Sequence, residues 1–360
     1  MTTWGRFVFV SALLGAIACG SSAQRDNAPL DDGAHATPFS CDGPDAEPVA
    51  VAELKSAGGT SVGALDETYA YVDAGGWIQR VALNGSGPKL LAETRAGWRL
   101  IVDADDVYWG EDDWAGENAR LARVSKHGGP SETLVGPTPN QFLPFPVTMV
   151  GGVLVFTWRG LNAAPHGVFR RDANGAISQL TQLNMASEGG VALRDGVVYF
   201  AHDDGIGAVP LGGGAAEVWL QETAPPGQML VTGNGRVFVA DADALYVSTQ
   251  GVDCSNEGRI SRVDWSTREI TTLDDQVGCT SRLVLAARHL AWSLDPEFWP
   301  TPGYEHLPPA EQPSILALPR SGGDRIPVAF GVSALIGIAG GAVFFVSEKT
   351  LFRRCLDAGA

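Results

Sequence analysis

Apolar residues in this chain come in short runs, each broken after a few positions by glycine, asparagine or aspartate. Leu100-Ile101-Val102 meets a polar turn at Asp103 to Asp106 and continues as Val107-Tyr108-Trp109. After a gap, Leu121-Ala122-Arg123-Val124 runs into Lys126-His127-Gly128-Gly129 and then Glu132-Thr133-Leu134-Val135. Each run has the length of one strand, and no segment sustains the longer period of a helix. The phrase recurs along the chain. Tyr71, Trp109, Phe156, Phe200, Val239, Trp292 and Phe345 close successive second strands, at spacings of about 40 to 50 residues that suit a four-stranded blade. Gly151-Gly152, Asp195-Gly196, Asn234-Gly235 and Gly340-Gly341 supply the positive φ of a hairpin between first and second strands. Asn84-Gly85, Asn174-Gly175, Gly212-Gly213-Gly214 and Gly322-Gly323 do so between third and fourth. The pattern predicts an all-β chain folded as a single seven-bladed β-propeller.

The last copy stops at Thr350 to Cys355 without a fourth strand, and Val49 to Leu54 reads as the missing one. Pairing the two predicts a ring closed by an N-terminal strand joining the last blade, which leaves no open sheet edge at the seam. Before that strand the pattern changes. Arg6 precedes an apolar run from Phe7 to Ala18, too short to span a bilayer, and small residues lead to Cys19; this is the layout of an export signal. Residues 20 to 46 are rich in Asp, Ser, Ala, Pro and Gly and cannot offset their ordering entropy by burial. The expected organisation is a signal peptide over 1–18, a lipidated cysteine with a flexible tether over 19–46, a propeller over 47–357 and a tail over 358–360.

Leu14-Gly15-Ala16-Ile17-Ala18-Cys19-Gly20 resembles the bacterial lipobox, which implies a lipid on Cys19 and Cys19 as the mature N-terminus. No acidic residue follows directly, so the resemblance implies the outer membrane, with the protein periplasmic or surface-facing. Asp106-Val107-Tyr108-Trp109-Gly110-Glu111, followed by Leu121 to Val124 and Gly128-Gly129, resembles the YWTD-like repeats of secreted propellers. The whole chain is similar to lipoprotein propellers of bacterial envelopes. Both resemblances imply the fold and leave the ligand open.

Composition narrows the partners. A formal charge of −16 repels a phosphate backbone and excludes nucleic acid. Setting Cys19 aside leaves four cysteines, an even number for an oxidising compartment. Cys355 ends the last third strand and Cys41 precedes the closing strand, whereas Cys254 and Cys279 fall in loops of the opposite rim; the topology pairs Cys41 with Cys355 and Cys254 with Cys279. The long insertions, Glu111 to Asn118, Arg159 to His166, Val252 to Gly258 and Asp295 to Pro313, all lie on one rim. They carry Trp114, Phe298, Trp299, Tyr304 and His306, the candidate partner-binding residues. No metal site and no cofactor is predicted. Aspartate pairs such as Asp105-Asp106 and Asp241 with Asp243 are turn formers that convergence could turn into a Ca²⁺ site, but none follows a calcium-loop spacing, and no histidine pair has zinc spacing. Gly59 to Gly63 matches a nucleophile-elbow string without the strand and helix that chemistry needs. These readings favour a non-enzymatic binding or scaffold propeller for a protein, peptide or glycan, with a propeller hydrolase or lyase using a carboxylate or metal at the channel mouth as the alternative.

Overall fold

The computed structural model describes residues 38–357 except 46, 56–61, 95–96, 112–118, 137–140, 161–166, 183–189, 203–204, 222–236, 250–257, 279, 295–302, 304–305, 309–310 and 332. The predicted signal peptide, Cys19 and most of the tether lie outside these residues. After β1 (Val49–Glu53), blade one is β2 to β5 (Val62–Leu65, Tyr69–Asp73, Trp77–Ala82, Lys89–Glu93) and blade two is β6 to β9 (Gly97–Val102, Asp106–Glu111, Arg120–Ser125, Glu132–Val135). Blade three is β10 to β13 (Gln141–Val150, Val153–Gly160, Gly167–Arg171, Ile177–Gln182), and blade four is β14 to β17 (Val191–Arg194, Val197–His202, Gly205–Pro210, Glu217–Gln221). Blade five is β18 to β21 (Val237–Ala240, Ala244–Thr249, Gly258–Asp264, Ile270–Val277), and blade six is β22 to β25 (Thr280–Leu285, His289–Leu294, Pro313–Pro319, Ile326–Phe330). Blade seven is β26 to β28 (Ser333–Ala339, Ala342–Ser347, Thr350–Cys355), with β1 as its fourth, outermost strand. The fold is all-β, with seven antiparallel four-stranded sheets. Their innermost strands β2, β6, β10, β14, β18, β22 and β26 each touch the next, and β26 touches β2, so the ring encloses a channel.

Side chains alternate across each sheet, so one strand feeds two different interfaces. On β3, Tyr71 packs toward blade two while Ala70 and Val72 pack toward blade seven; on β7, Val107 and Trp109 face blade one and Tyr108 faces blade three. The apolar core is therefore divided into seven slabs, one between each pair of neighbouring blades. The aromatic anchors Tyr71, Trp109, Phe156, Phe200, Trp292 and Phe345 are buried in these slabs. Blade five differs from the sequence reading. Val239 lies on its first strand, and the buried aromatic of its second strand is Tyr246. The turn between them is Asp241 to Asp243, where Asp241 accepts the N–H groups of Asp243 and Ala244; Asn234-Gly235 lies outside the described residues.

That aspartate turn recurs. Asp66 accepts the N–H groups of Thr68 and Tyr69, and Asp103 those of Asp105 and Asp106, so each carboxylate shapes the first turn of its blade. The second carboxylate oxygen takes the hydroxyl of the tyrosine five residues on, Tyr71 at 2.9 Å and Tyr108 at 2.7 Å. A cation from the following blade then clasps the turn: Lys126 of blade two reaches Asp66 at 2.7 Å, and Arg320 of blade six reaches Asp241 and, at 2.8 Å, the Tyr246 hydroxyl. Burial pushes Asp66 up, but the hydrogen bond from Lys126, the two backbone donors and the lysine charge together bring it below the usual carboxylate range.

The seam joins the two ends of the described chain. Val49 to Glu53 pairs with Thr350 to Arg353 across one bulge. Cys41 and Cys355 form a disulfide with their Cα atoms 5.9 Å apart. Asp45 and Cys355 exchange two further bonds: the Asp45 N–H donates to the Cys355 carbonyl, and the Cys355 N–H donates to the Asp45 carboxylate. Phe39 sets its ring edge-on to Phe344 at 5.4 Å with the Arg353 guanidinium 4.8 Å above it. Gly340, at a φ of +53°, lets the segment lie this close, since a Cβ there would stand 2.1 Å from the Phe39 carbonyl oxygen. The second cysteine pair of the sequence reading, Cys254 with Cys279, lies outside the described residues.

Two expectations follow. Reducing the Cys41–Cys355 bond, or replacing both cysteines by serine, should cost about 2–4 kcal/mol; melting with and without reductant measures this, and amide exchange in Val49–Glu53 should accelerate more than in blade four. Asp66→Asn should cost about 1–3 kcal/mol at pH 7. Because the folded pKa of Asp66 is depressed, this stabilisation is present above the unfolded value and is lost as pH falls through the folded one. The gap between variant and wild type in urea melts should therefore close below about pH 4; a gap unchanged at pH 3 would contradict the clasp.

Candidate functional site

The two rims of the ring are built differently. One holds the tight turns between first and second and between third and fourth strands, the aspartate clasps and the disulfide. The other receives the ends of second strands, the starts of third strands and the connections between blades. There the chain leaves at Glu111 and returns at Arg120, leaves at Gly160 and returns at Gly167, leaves at Thr249 and returns at Gly258, and leaves at Leu294 and returns at Pro313. The topology thus brings the described ends of the four long insertions to one rim. Trp114, Phe298, Trp299 and Tyr304 lie outside the described residues. His306 is described and exposed, and the neighbouring Leu307 carbonyl accepts the Gln312 side-chain amide at 2.8 Å.

Two buried carboxylates at this rim are engaged. Glu111, fully buried at the end of β7, accepts the Trp109 indole N–H at 2.8 Å and pairs with Arg120. Asp73, at the end of β3, accepts the Thr94 hydroxyl at 3.0 Å and the Gly97 N–H at 2.6 Å. Burial holds Asp73 above the usual carboxylate range and the nearby charge of Glu111 adds to this, against the hydrogen bonds from Thr94, Gly97 and Gly76. Blade six has Leu294 where blade two has Glu111, and the buried indole N–H of Trp292 has no partner among the described residues. Among the described residues no three or more His, Cys, Asp or Glu side chains gather as a metal ion requires.

Two arginines occupy equivalent inner-strand positions and were not singled out by the sequence reading. Arg99 on β6 stands opposite Gly110, one residue before the Leu100 that faces Trp109; Arg282 on β22 stands opposite Ser293, one residue before the Leu283 that faces Trp292. Each lies near the start of its strand, toward the insertion-bearing rim. The Arg282 guanidinium donates to the carbonyl of Gly63 on β2, two blades away, spanning the inner edge of blade seven. Gly63 has no room for a side chain, since a Cβ there would lie 2.6 Å from the Tyr71 carbonyl oxygen and 2.9 Å from Ile336. Neither arginine pairs with a carboxylate among the described residues. Loss of water to the surrounding protein pulls Arg282 down to about 10, with the like charge of Arg99 adding to the shift, and pulls Arg99 down as well.

A closed seven-bladed β-propeller with one rim of tight turns and one rim of long connections is the class that fold and site define. No known family model matches the sequence, and no characterised protein aligns with it. Solved propellers resemble it in shape. PorZ, a bacterial surface component of the type-IX secretion system of Porphyromonas gingivalis, superposes with a TM-score of 0.54 at 12% identity over 86% of this chain and 39% of its own. Regucalcin, a calcium-binding protein from Agrobacterium tumefaciens, does so with 0.50 at 14% over 88% and 96%. BamB from Moraxella catarrhalis gives 0.48 at 12% over 87% of both chains. At these identities the likeness is one of fold, and this chain spans about two fifths of PorZ.

Proposed function

We propose that this chain is an envelope lipoprotein whose propeller binds a protein, peptide or glycan partner through its insertion-bearing rim and catalyses no reaction. The asymmetry of the rims carries this reading. Tight turns, aspartate clasps and a disulfide make one rim rigid, and long connections on the other rim, around the channel mouth, are the arrangement in which recognition surfaces are built on stiff scaffolds. The segment leading into β1 is fixed to the tight rim by Cys41 and Asp45. A lipid on Cys19 would therefore join the body at that rim, leaving the insertion-bearing rim free of the tether.

The partner surface is tested by cross-linking in the native envelope, comparing the wild type with a variant whose residues 295–312 are replaced by a short Gly-Ser turn. The wild type should yield a discrete adduct that the variant loses while keeping its melting temperature; equal adducts from both would overturn the rim as the contact surface. The anchor is tested separately. Labelled palmitate should enter the wild type and be absent from Cys19→Ala, and label in both would overturn the lipid.

A further inference from the structure

We propose that the channel mouth is an oxyanion site in which Arg99 and Arg282 together hold one compact carboxylate or phosphate group. Both side chains come from the inner strands that ring the channel, at the same register position of blades two and six. Cations partly withdrawn from water in folded proteins are ordinarily paired, as Arg120 is with Glu111, Lys126 with Asp66, Arg320 with Asp241 and Arg325 with Asp274. Arg99 and Arg282, both half-buried, have no carboxylate partner among the described residues. The buried acids Asp73 and Glu111 of that rim already spend their oxygens on Thr94, Gly97, Trp109 and Arg120. The Gly63 carbonyl takes one donor of Arg282 and fixes the guanidinium across the channel. A planar fork of five donors has more to give, and its geometry matches the paired oxygens of carboxylate and phosphate.

Placing two like charges at one opening raises the energy of the empty site and lowers it when an anion bridges them. The surrounding negative surface would keep anions away from every other part of the molecule, so the channel concentrates them at one place. This site needs only two inner strands, so it stands or falls independently of residues 295–312 as a partner surface.

The test uses the full mature chain, dialysed into chloride at pH 7, with inorganic phosphate and citrate added separately against sodium chloride of equal ionic strength. Melting temperature and titration calorimetry are read in the wild type, Arg99→Gln, Arg282→Gln, the double variant and the charge-keeping Arg282→Lys. At least one of the two anions should raise the wild-type melting temperature by about 5 °C at a hundredfold excess over its Kd, with one ion bound per chain. Each Gln variant should weaken binding tenfold or more, Arg282→Lys less, and the double variant should abolish it. A response to phosphate alone identifies a phosphate ligand, and a response to citrate alone a carboxylate ligand. No shift beyond chloride would overturn the site. So would a shift that survives in the folded double variant, which would mark an adventitious ion only.

Discussion

A four-stranded sheet with apolar residues on both faces has nothing of its own to cover either face, and everything in this molecule follows from that. Tyr71, Trp109, Phe156 and Trp292 are buried because a neighbouring blade lies over them. Six of the slabs form between blades adjacent in the sequence. The seventh, where Ala70, Val72 and Val81 meet Phe344, Val346 and Leu351, needs the two ends of the propeller to find one another. The strand pairing, disulfide and Phe39 contact of the seam all serve that one slab.

Closure also sets the channel. With blade-to-blade contact fixed all round, the inner strands cannot splay, and side chains at matching register in different blades are held at set separations. Arg99 and Arg282 owe their positions to this and to no contact with each other. The same ring divides the rims: on one side electrostatic clasps tie the Asp66 and Asp241 turns to the next blade, and on the other the strands lead into long connections. A stiff body and an elaborated face are thus two outcomes of a single topology.

Most of the architecture was legible because its signals are local. Gly-Gly and Asn-Gly pairs mark hairpins through backbone conformation, and aromatics mark second strands through burial. Blade five was misread for the same reason. Its first turn is the aspartate kind of Asp66 and Asp103, not a glycine pair, so the spacing points to Val239 where the anchor is Tyr246. The Cys41–Cys355 pairing followed from counting strands. The arginine site did not, because its members are 183 residues apart in the chain, at positions 99 and 282, and meet only around the ring. A signal was present, though: Arg99-Leu100-Ile101-Val102 and Arg282-Leu283-Val284-Leu285 repeat one phrase, a charge leading an apolar run at the same register of the first strand.

The seam has a consequence for how the molecule comes into being. Strand β1 leaves the ribosome early and has no partner until Thr350 to Cys355 has followed, so hundreds of residues of blade can stack while the first and last faces stay bare. Closure is then a single late event of very long range, slow by nature and exposed to misassembly until it happens. A copy truncated ahead of Cys355 displays an uncovered apolar slab and lacks the covalent lock together. Such a molecule advertises its own incompleteness to any protease or chaperone in its compartment, and the last strand serves as a proofreading step for the whole chain.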